Sequence, residues 1–90
     1  MARIEKTIDP QYFQEILDGK KKYEIRLNDF SIQEGDTLIL IEHDFVTKIR
    51  SGRTLEKKVT NVNKFKIGDL EKWYSPQDLQ EKGIQIISLE

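Results

Sequence analysis

The chain contains no cysteine. No disulfide can staple it, no thiolate can bind a metal, and no cysteine can act as a nucleophile. It has a single histidine, His43, so any triad of the Ser-His-Asp kind would have to use it, and no nucleophile-elbow spacing accompanies it. There are only two prolines, Pro10 and Pro76. No apolar run approaches the roughly 20 residues that cross a bilayer. The opening MARIEKTIDP has neither the apolar stretch nor the cleavage site of a signal peptide. The simplest expectation is a cytoplasmic protein, not associated with a membrane, that needs no cofactor and no metal. Nothing suggests a linker or a low-complexity tract, so residues 1–90 are read as one domain. A chain this short buries only about 60–65% of its unfolded surface, and its core is modest.

The formal net charge is −1, but the charges are unevenly placed. Residues 19–26 carry Lys20, Lys21, Lys22 and Arg26 against Glu24. Residues 46–66 carry Lys48, Arg50, Arg53, Lys57, Lys58, Lys64 and Lys66 against Glu56. The stretch between them, 29–45, holds five acids and no Lys or Arg. Local field therefore matters more than net charge. If folding brings the two basic runs together, they make an anion-binding face. If it does not, they are solubilising charges.

Residues 3–8 read as a short strand. Asp9-Pro10 starts a helix, because the aspartate caps free N–H groups and the proline fits the first helical position. Phe13, Ile16 and Leu17 fall on one helical stripe, with Tyr12 at its border. Gly19 ends the helix in the left-handed region. Residues 22–28 alternate strictly and read as a strand, with Tyr23 and Ile25 buried on one face and Glu24, Arg26 and Asn28 on the other. Gln33-Glu34-Gly35-Asp36 is a turn. Leu38 to Ile41 is apolar on both parities and reads as a strand buried on both faces. Residues 46–52 read as a loop, and 53–65 as a long strand with a bulge near Lys57-Lys58. A turn-rich connector follows, then a short helix from Ser75-Pro76 to Gly83, then a last strand over 84–90. The order β-α-β-β-β-α-β implies an α+β fold, a small and mostly antiparallel barrel carrying two short helices.

The row Glu24, Arg26, Asn28 combines acceptors with a planar fork of donors, which suits a nucleobase edge. Lys20 and Lys21 at its rim suit phosphate. The plainer alternative is a solvated ion-pair row on an open strand face. Arg53, after Ser51-Gly52, could reach over a cleft or simply end a turn. Trp73-Tyr74 could stack on a base, but reads better as an anchor packed on the barrel. Phe30 and Phe45 read as structural. Glu42-His43-Asp44 is no metal site on a strand, because His43 points away from its neighbours.

Together these motifs resemble the ASCH domains of the PUA-like superfamily. The resemblance rests on Gly19-Lys20-Lys21, Glu24-Ile25-Arg26-Leu27-Asn28-Asp29, Gly35-Asp36 and Ser51-Gly52-Arg53 in that order. Tyr12-Phe13 and the closing Ile86-Ile87-Ser88-Leu89 also fit, and residues 66–83 fit least. The resemblance implies a PUA-like β-barrel with a cleft that binds RNA or a nucleotide-like ligand through Lys20, Lys21, Glu24, Arg26, Asn28 and Arg53. Some ASCH proteins are instead amidohydrolases acting on an acylated cytidine, through a lysine in the G-[KR]-K motif, a threonine and a glutamate. Lys21 matches the lysine. Glu24 stands at the threonine position, so under this alternative Lys21 and Glu24 would be the catalytic pair. Glu71 and Glu81 both fall where the third residue is sought.

Overall fold

The computed structural model describes residues 1–87. Its elements are β1 (Arg3–Ile8), α1 (Pro10–Leu17), β2 (Thr37–Asp44), β3 (Ile49–Lys58), a 3-10 helix (Ile67–Lys72) and α2 (Pro76–Lys82). β1 pairs with β2 in parallel, from Arg3↔Thr37 to Ile8↔Glu42. β3 pairs antiparallel on the other side of β2. The result is a small α+β architecture around a mixed three-stranded sheet.

α1 forms for the reasons its sequence supplies. The Asp9 carboxylate accepts from the Gln11 N–H at 3.0 Å, Pro10 occupies the first turn, and Gly19 leaves the helix at φ +77°. Phe13 and Ile16 point from it onto Ile8, Leu38 and Leu40, and among the described residues these five side chains are the buried apolar core. Ile32, Leu55 and Val59 pack at its margin. α1 covers one sheet face only. Along β2, Leu38, Leu40 and Glu42 are buried, whereas Ile39 and Ile41 are half-buried, so the expectation of burial on both faces is not met.

Asp36 closes the base of the sheet. Its buried carboxylate accepts from the Ala2 N–H at 2.9 Å and the Gln33 N–H at 3.0 Å. Gly35 and Asp36 also exchange backbone bonds with Val59, at 2.9 and 2.8 Å. One side chain thus ties the start of β1, the 33–36 turn and the start of β2.

The turn between β2 and β3 is fixed by Asp44, whose carboxylate accepts from the Val46 and Thr47 N–H groups at 2.9 and 3.1 Å. β3 therefore begins at Ile49, inside the stretch expected to be a loop. The irregularity lies between Ile41↔Thr54 and His43↔Arg50, where Glu42 alone faces Ser51, Gly52 and Arg53. Gly52 takes φ +90° there. Lys57 and Lys58, where a bulge was expected, sit in regular register with Leu38 and Thr37. The bulge forms where glycine can adopt a left-handed conformation and where a buried carboxylate attracts the two flanking side chains.

Three further expectations are corrected. Residues 22–28 form no strand, because they find no ladder partner. The sheet is open, not closed as a mostly antiparallel barrel, since among the described residues nothing adds to its edges. Residues 84–87 are not in a strand either, and the remainder of the expected last strand, 88–90, lies outside the described residues. α2 has the expected bounds, with Ser75 Oγ accepting from the Asp78 N–H at 3.1 Å, but it contributes no buried residue. The radius of gyration is 15.1 Å, against roughly 12 Å for a compact chain of this length.

Two predictions follow from this small, carboxylate-stitched core. Phe13→Ala empties the largest buried site and should cost about 3–5 kcal/mol, most of the stability of a small domain, read as the urea midpoint. A loss of about 1 kcal/mol or less would show that Phe13 is not central to the core. Asp36 lies below the ordinary carboxylate range, chiefly through the Ala2 N–H bond and then Gln33. Glu42 is lowered first by Arg53 and then by Ser51, and Asp44 by Thr47 and Val46. In each case the unfolded chain takes up its proton first as pH falls. Their stabilisation should be intact above the ordinary carboxylate values of 3.8 to 4.5 and disappear as pH falls through the lowered folded values. Urea midpoints from pH 7 to 2 should show this acid loss, and Asp36→Asn should make it shallower. An unchanged profile in a folded Asp36→Asn variant would contradict the assignment.

Candidate functional site: a cleft beside the end of the parallel strand pair

Residues 20–26 leave α1 and run past the carboxyl end of β1. Backbone bonds from Lys20 and Lys21 to the Glu15 carbonyl, at 2.9 and 3.0 Å, set the exit direction. Beyond them the segment is pinned by side chains. Arg26 donates through Nη2 to the Thr7 carbonyl of β1 at 2.6 Å and through Nε to Glu24 Oε2 at 2.7 Å. Lys21 Nζ donates to Glu24 Oε1 at 2.5 Å and to the Tyr23 carbonyl at 3.0 Å. Glu24 is thus a carboxylate with one cation on each oxygen. The side chains of Lys21, Glu24 and Arg26 are 10%, 16% and 28% exposed, so these pairs are more sheltered than ordinary surface ion pairs.

The three line a cleft of ≈ 440 Å³ that also includes Thr7, Asp9, Tyr12 and Tyr23. Lys21 Nζ lies 4.9 Å from the Tyr23 ring centroid and 5.4 Å from that of Tyr12, within cation–π range of both. Ile25 and Phe45 complete the rim. A second cleft of ≈ 290 Å³ continues from Ile25 and Arg26 along Leu27, Asp29 and Phe30. Lys6 Nζ rests 3.9 Å over the Phe30 ring there.

Of the residues expected to form a site, the fold brings Lys21, Glu24 and Arg26 together. Lys20 is exposed at the end of α1, outside the cleft lining, and Asn28 is exposed beyond it. Tyr23 and Ile25 are not buried on an opposite face. They are 36% and 63% exposed and share the cleft with Glu24 and Arg26. With no sheet to impose alternation, successive side chains need not take opposite sides. Tyr12 and Phe45 were legible only as a stripe-border residue and a structural aromatic. Tyr12 sits one position before the buried Phe13, which turns its ring toward the polar rim.

Arg53 does not line the cleft. Its fork grips Glu42, Nε to Oε1 at 3.1 Å and Nη2 to Oε2 at 2.7 Å, while Ser51 Oγ donates to the same carboxylate. Its guanidinium lies 4.7 Å from the Phe13 ring centroid, and Gln14 Oε1 accepts from it at 3.3 Å. The Glu42 contact raises the Arg53 pKa above its ordinary value. This cluster ties the bulge to α1. Glu42-His43-Asp44 diverges: Glu42 binds Arg53, Asp44 caps the turn, and His43 stacks edge-on to Phe45 at 4.7 Å. Trp73 and Tyr74 are 71% and 55% exposed, so they do not serve as the expected anchor. Neither Glu71, in the 3-10 helix, nor Glu81, in α2, lines the cleft. The two basic runs do not merge into one face. Residues 21–26 flank β1, and β3 forms the opposite edge of the sheet.

No solved structure matches this chain. A curated relative, the "Uncharacterized 12.9 kDa protein in GpA 3'region" of Escherichia phage P2, is 39% identical over 74 residues. The match covers 81% of this chain and 62% of the phage protein, so the chain spans less than two thirds of that relative. The model of the family described as "Domain of unknown function (DUF3850)" matches residues 5–74, which takes in α1, β2, β3, all of β1 but its first two residues, and every charged residue of the cleft. The chain belongs to the DUF3850 family.

Proposed function

We propose that this protein binds RNA or a nucleotide-like ligand in the cleft between α1, β1 and residues 21–26, as its resemblance to the ASCH domains of the PUA-like superfamily implies. The observation that carries the reading is the convergence of Lys21, Glu24 and Arg26 beside the rings of Tyr12 and Tyr23 in one concave site. Donors, a carboxylate acceptor and aromatic faces are the chemistry that nucleobases offer partners for. Lys20 and Lys22, exposed next to the cleft, suit phosphates that lie outside it.

The alternative is hydrolysis of an acylated cytidine by Lys21 and Glu24. Their 2.5 Å contact gives it some geometric support. Yet a lysine that donates to a carboxylate and to the Tyr23 carbonyl is committed as a hydrogen-bond donor, not as a nucleophile. Binding is the better reading, with Lys21 and Arg26 as donors and Glu24 as acceptor.

Fluorescence titrations with single-stranded RNA and with mononucleotides test the reading, run beside an assay for deacylation of acylated cytidine. Affinity for RNA should fall with salt, and Lys20→Ala should reduce the slope of log K against log salt by about 0.7, the value for one phosphate contact on a single strand. Arg26→Ala should weaken binding to every ligand. Turnover of acylated cytidine that vanishes in Lys21→Ala would replace binding by catalysis. Undiminished affinity in a folded Arg26→Ala variant would remove the cleft as the site.

A further inference from the structure

The order of hydrogen-bonding groups in the cleft is more specific than the general reading it rests on. Lys21 Nζ, Glu24 Oε1, Glu24 Oε2 and Arg26 Nε follow one another, with 2.5 Å between the first pair and 2.7 Å between the last. They form a row of donor, acceptor, acceptor, donor. Each carboxylate oxygen is engaged by one cation and retains acceptor capacity, since an ionised carboxylate offers about four lone-pair sites. The spacing along the row is comparable to that of neighbouring groups on the edge of a nucleobase.

From the lysine end three consecutive members read donor, acceptor, acceptor, whereas at the other end the single Arg26 Nε–H is taken up by Glu24 Oε2. Guanine presents the complement on its Watson–Crick edge: the O6 acceptor, then the N1–H and N2–H donors. The other bases fit less well. Uracil has one donor between two acceptors, and would set one of its carbonyls against the second Glu24 oxygen. Adenine offers a single donor position on this edge. Cytosine needs one acceptor followed by two donors, which Glu24 Oε2 with Arg26 Nε and Nη2 would have to supply, but the single Nε–H is already donated to Glu24 Oε2 at 2.7 Å. Lys21, by contrast, has one N–H left after bonding Glu24 and the Tyr23 carbonyl.

The charge balance agrees. Asp9 and Glu24 offset Lys21 and Arg26 among the groups lining the cleft. A neutral base suits such a site better than a phosphate does. Tyr12 and Tyr23 offer their rings for stacking.

We infer that the cleft reads guanine, with the Glu24 carboxylate accepting from N1–H and N2–H, Lys21 donating to O6, and the ribose and phosphate directed outward. A carboxylate engaged by two donors of one base carries discrimination of about 5- to 150-fold over a base that lacks them.

Calorimetric titration of the intact protein with GMP, IMP, AMP, CMP and UMP tests this. GMP should bind about tenfold or more tighter than AMP, CMP and UMP. IMP, which lacks the N2 amino group, should fall between. Glu24→Gln, checked for folding by circular dichroism, should bring GMP down to the level of the other nucleotides. The comparison of GMP with IMP needs no variant and stands even if Glu24→Gln fails to fold. Equal affinity for all five, a preference for CMP or UMP, or a GMP preference that survives in Glu24→Gln would overturn guanine reading and leave nucleotide binding intact. Failure of every nucleotide to bind would overturn guanine reading, and failure of single-stranded RNA as well would overturn the binding proposal on which it rests.

Discussion

Among the described residues only five apolar side chains are buried, too few to hold such a fold together unaided, and the arrangement of this protein follows from that shortage. Carboxylates do the joining that a larger core would do. Asp36 fastens the amino terminus and the 33–36 turn to β2. Glu42, buried beneath the bulge, gathers Ser51 and Arg53 and through Arg53 reaches Phe13 and Gln14 on α1. Glu24 anchors a segment that has no ladder of its own. Each carboxylate accepts at least two hydrogen bonds, which is what makes burying such a group tolerable.

The same economy accounts for the cleft. In a βαβ unit the crossover leaves an opening beyond the carboxyl end of the first strand, a common place for ligands in parallel sheets. Here residues 21–26 cross that opening and are held by side chains. The groups that hold them are therefore left in a concave site with hydrogen-bonding capacity to spare. Where a strand pair would have spent its alternating side chains on two faces, this segment turns Tyr23, Glu24, Ile25 and Arg26 toward the same space.

Some of this was legible in the sequence. Asp9-Pro10 and Ser75-Pro76 place the helix starts, Phe13 and Ile16 place the core face of α1, and Gly35-Asp36 marks the turn into β2, because local rules govern each of them. Lys21, Glu24 and Arg26 were legible as a group from their position. Their joint orientation was not, since strict alternation describes both a strand and a loop pinned by its side chains. The pairing of Arg53 was hidden for a different reason. Its partner, Glu42, lies eleven positions away, and only a bulge at Ser51-Gly52-Arg53 brings the two together. The period of β3 is broken at that same point, so the sequence conceals both the start of the strand and the pairing. Trp73 and Tyr74 look like core residues by type, yet nothing in their local pattern states what they pack against.

Backbone amide shifts report directly where a nucleotide contacts the protein. In a titration of the ¹⁵N-labelled protein with GMP, the largest changes should fall on residues 21–26, on Thr7 and on Tyr12, with β3 little affected. Changes concentrated on Arg50, Lys57 and Lys58 instead would place binding on the opposite edge of the sheet and contradict the assignment of the cleft.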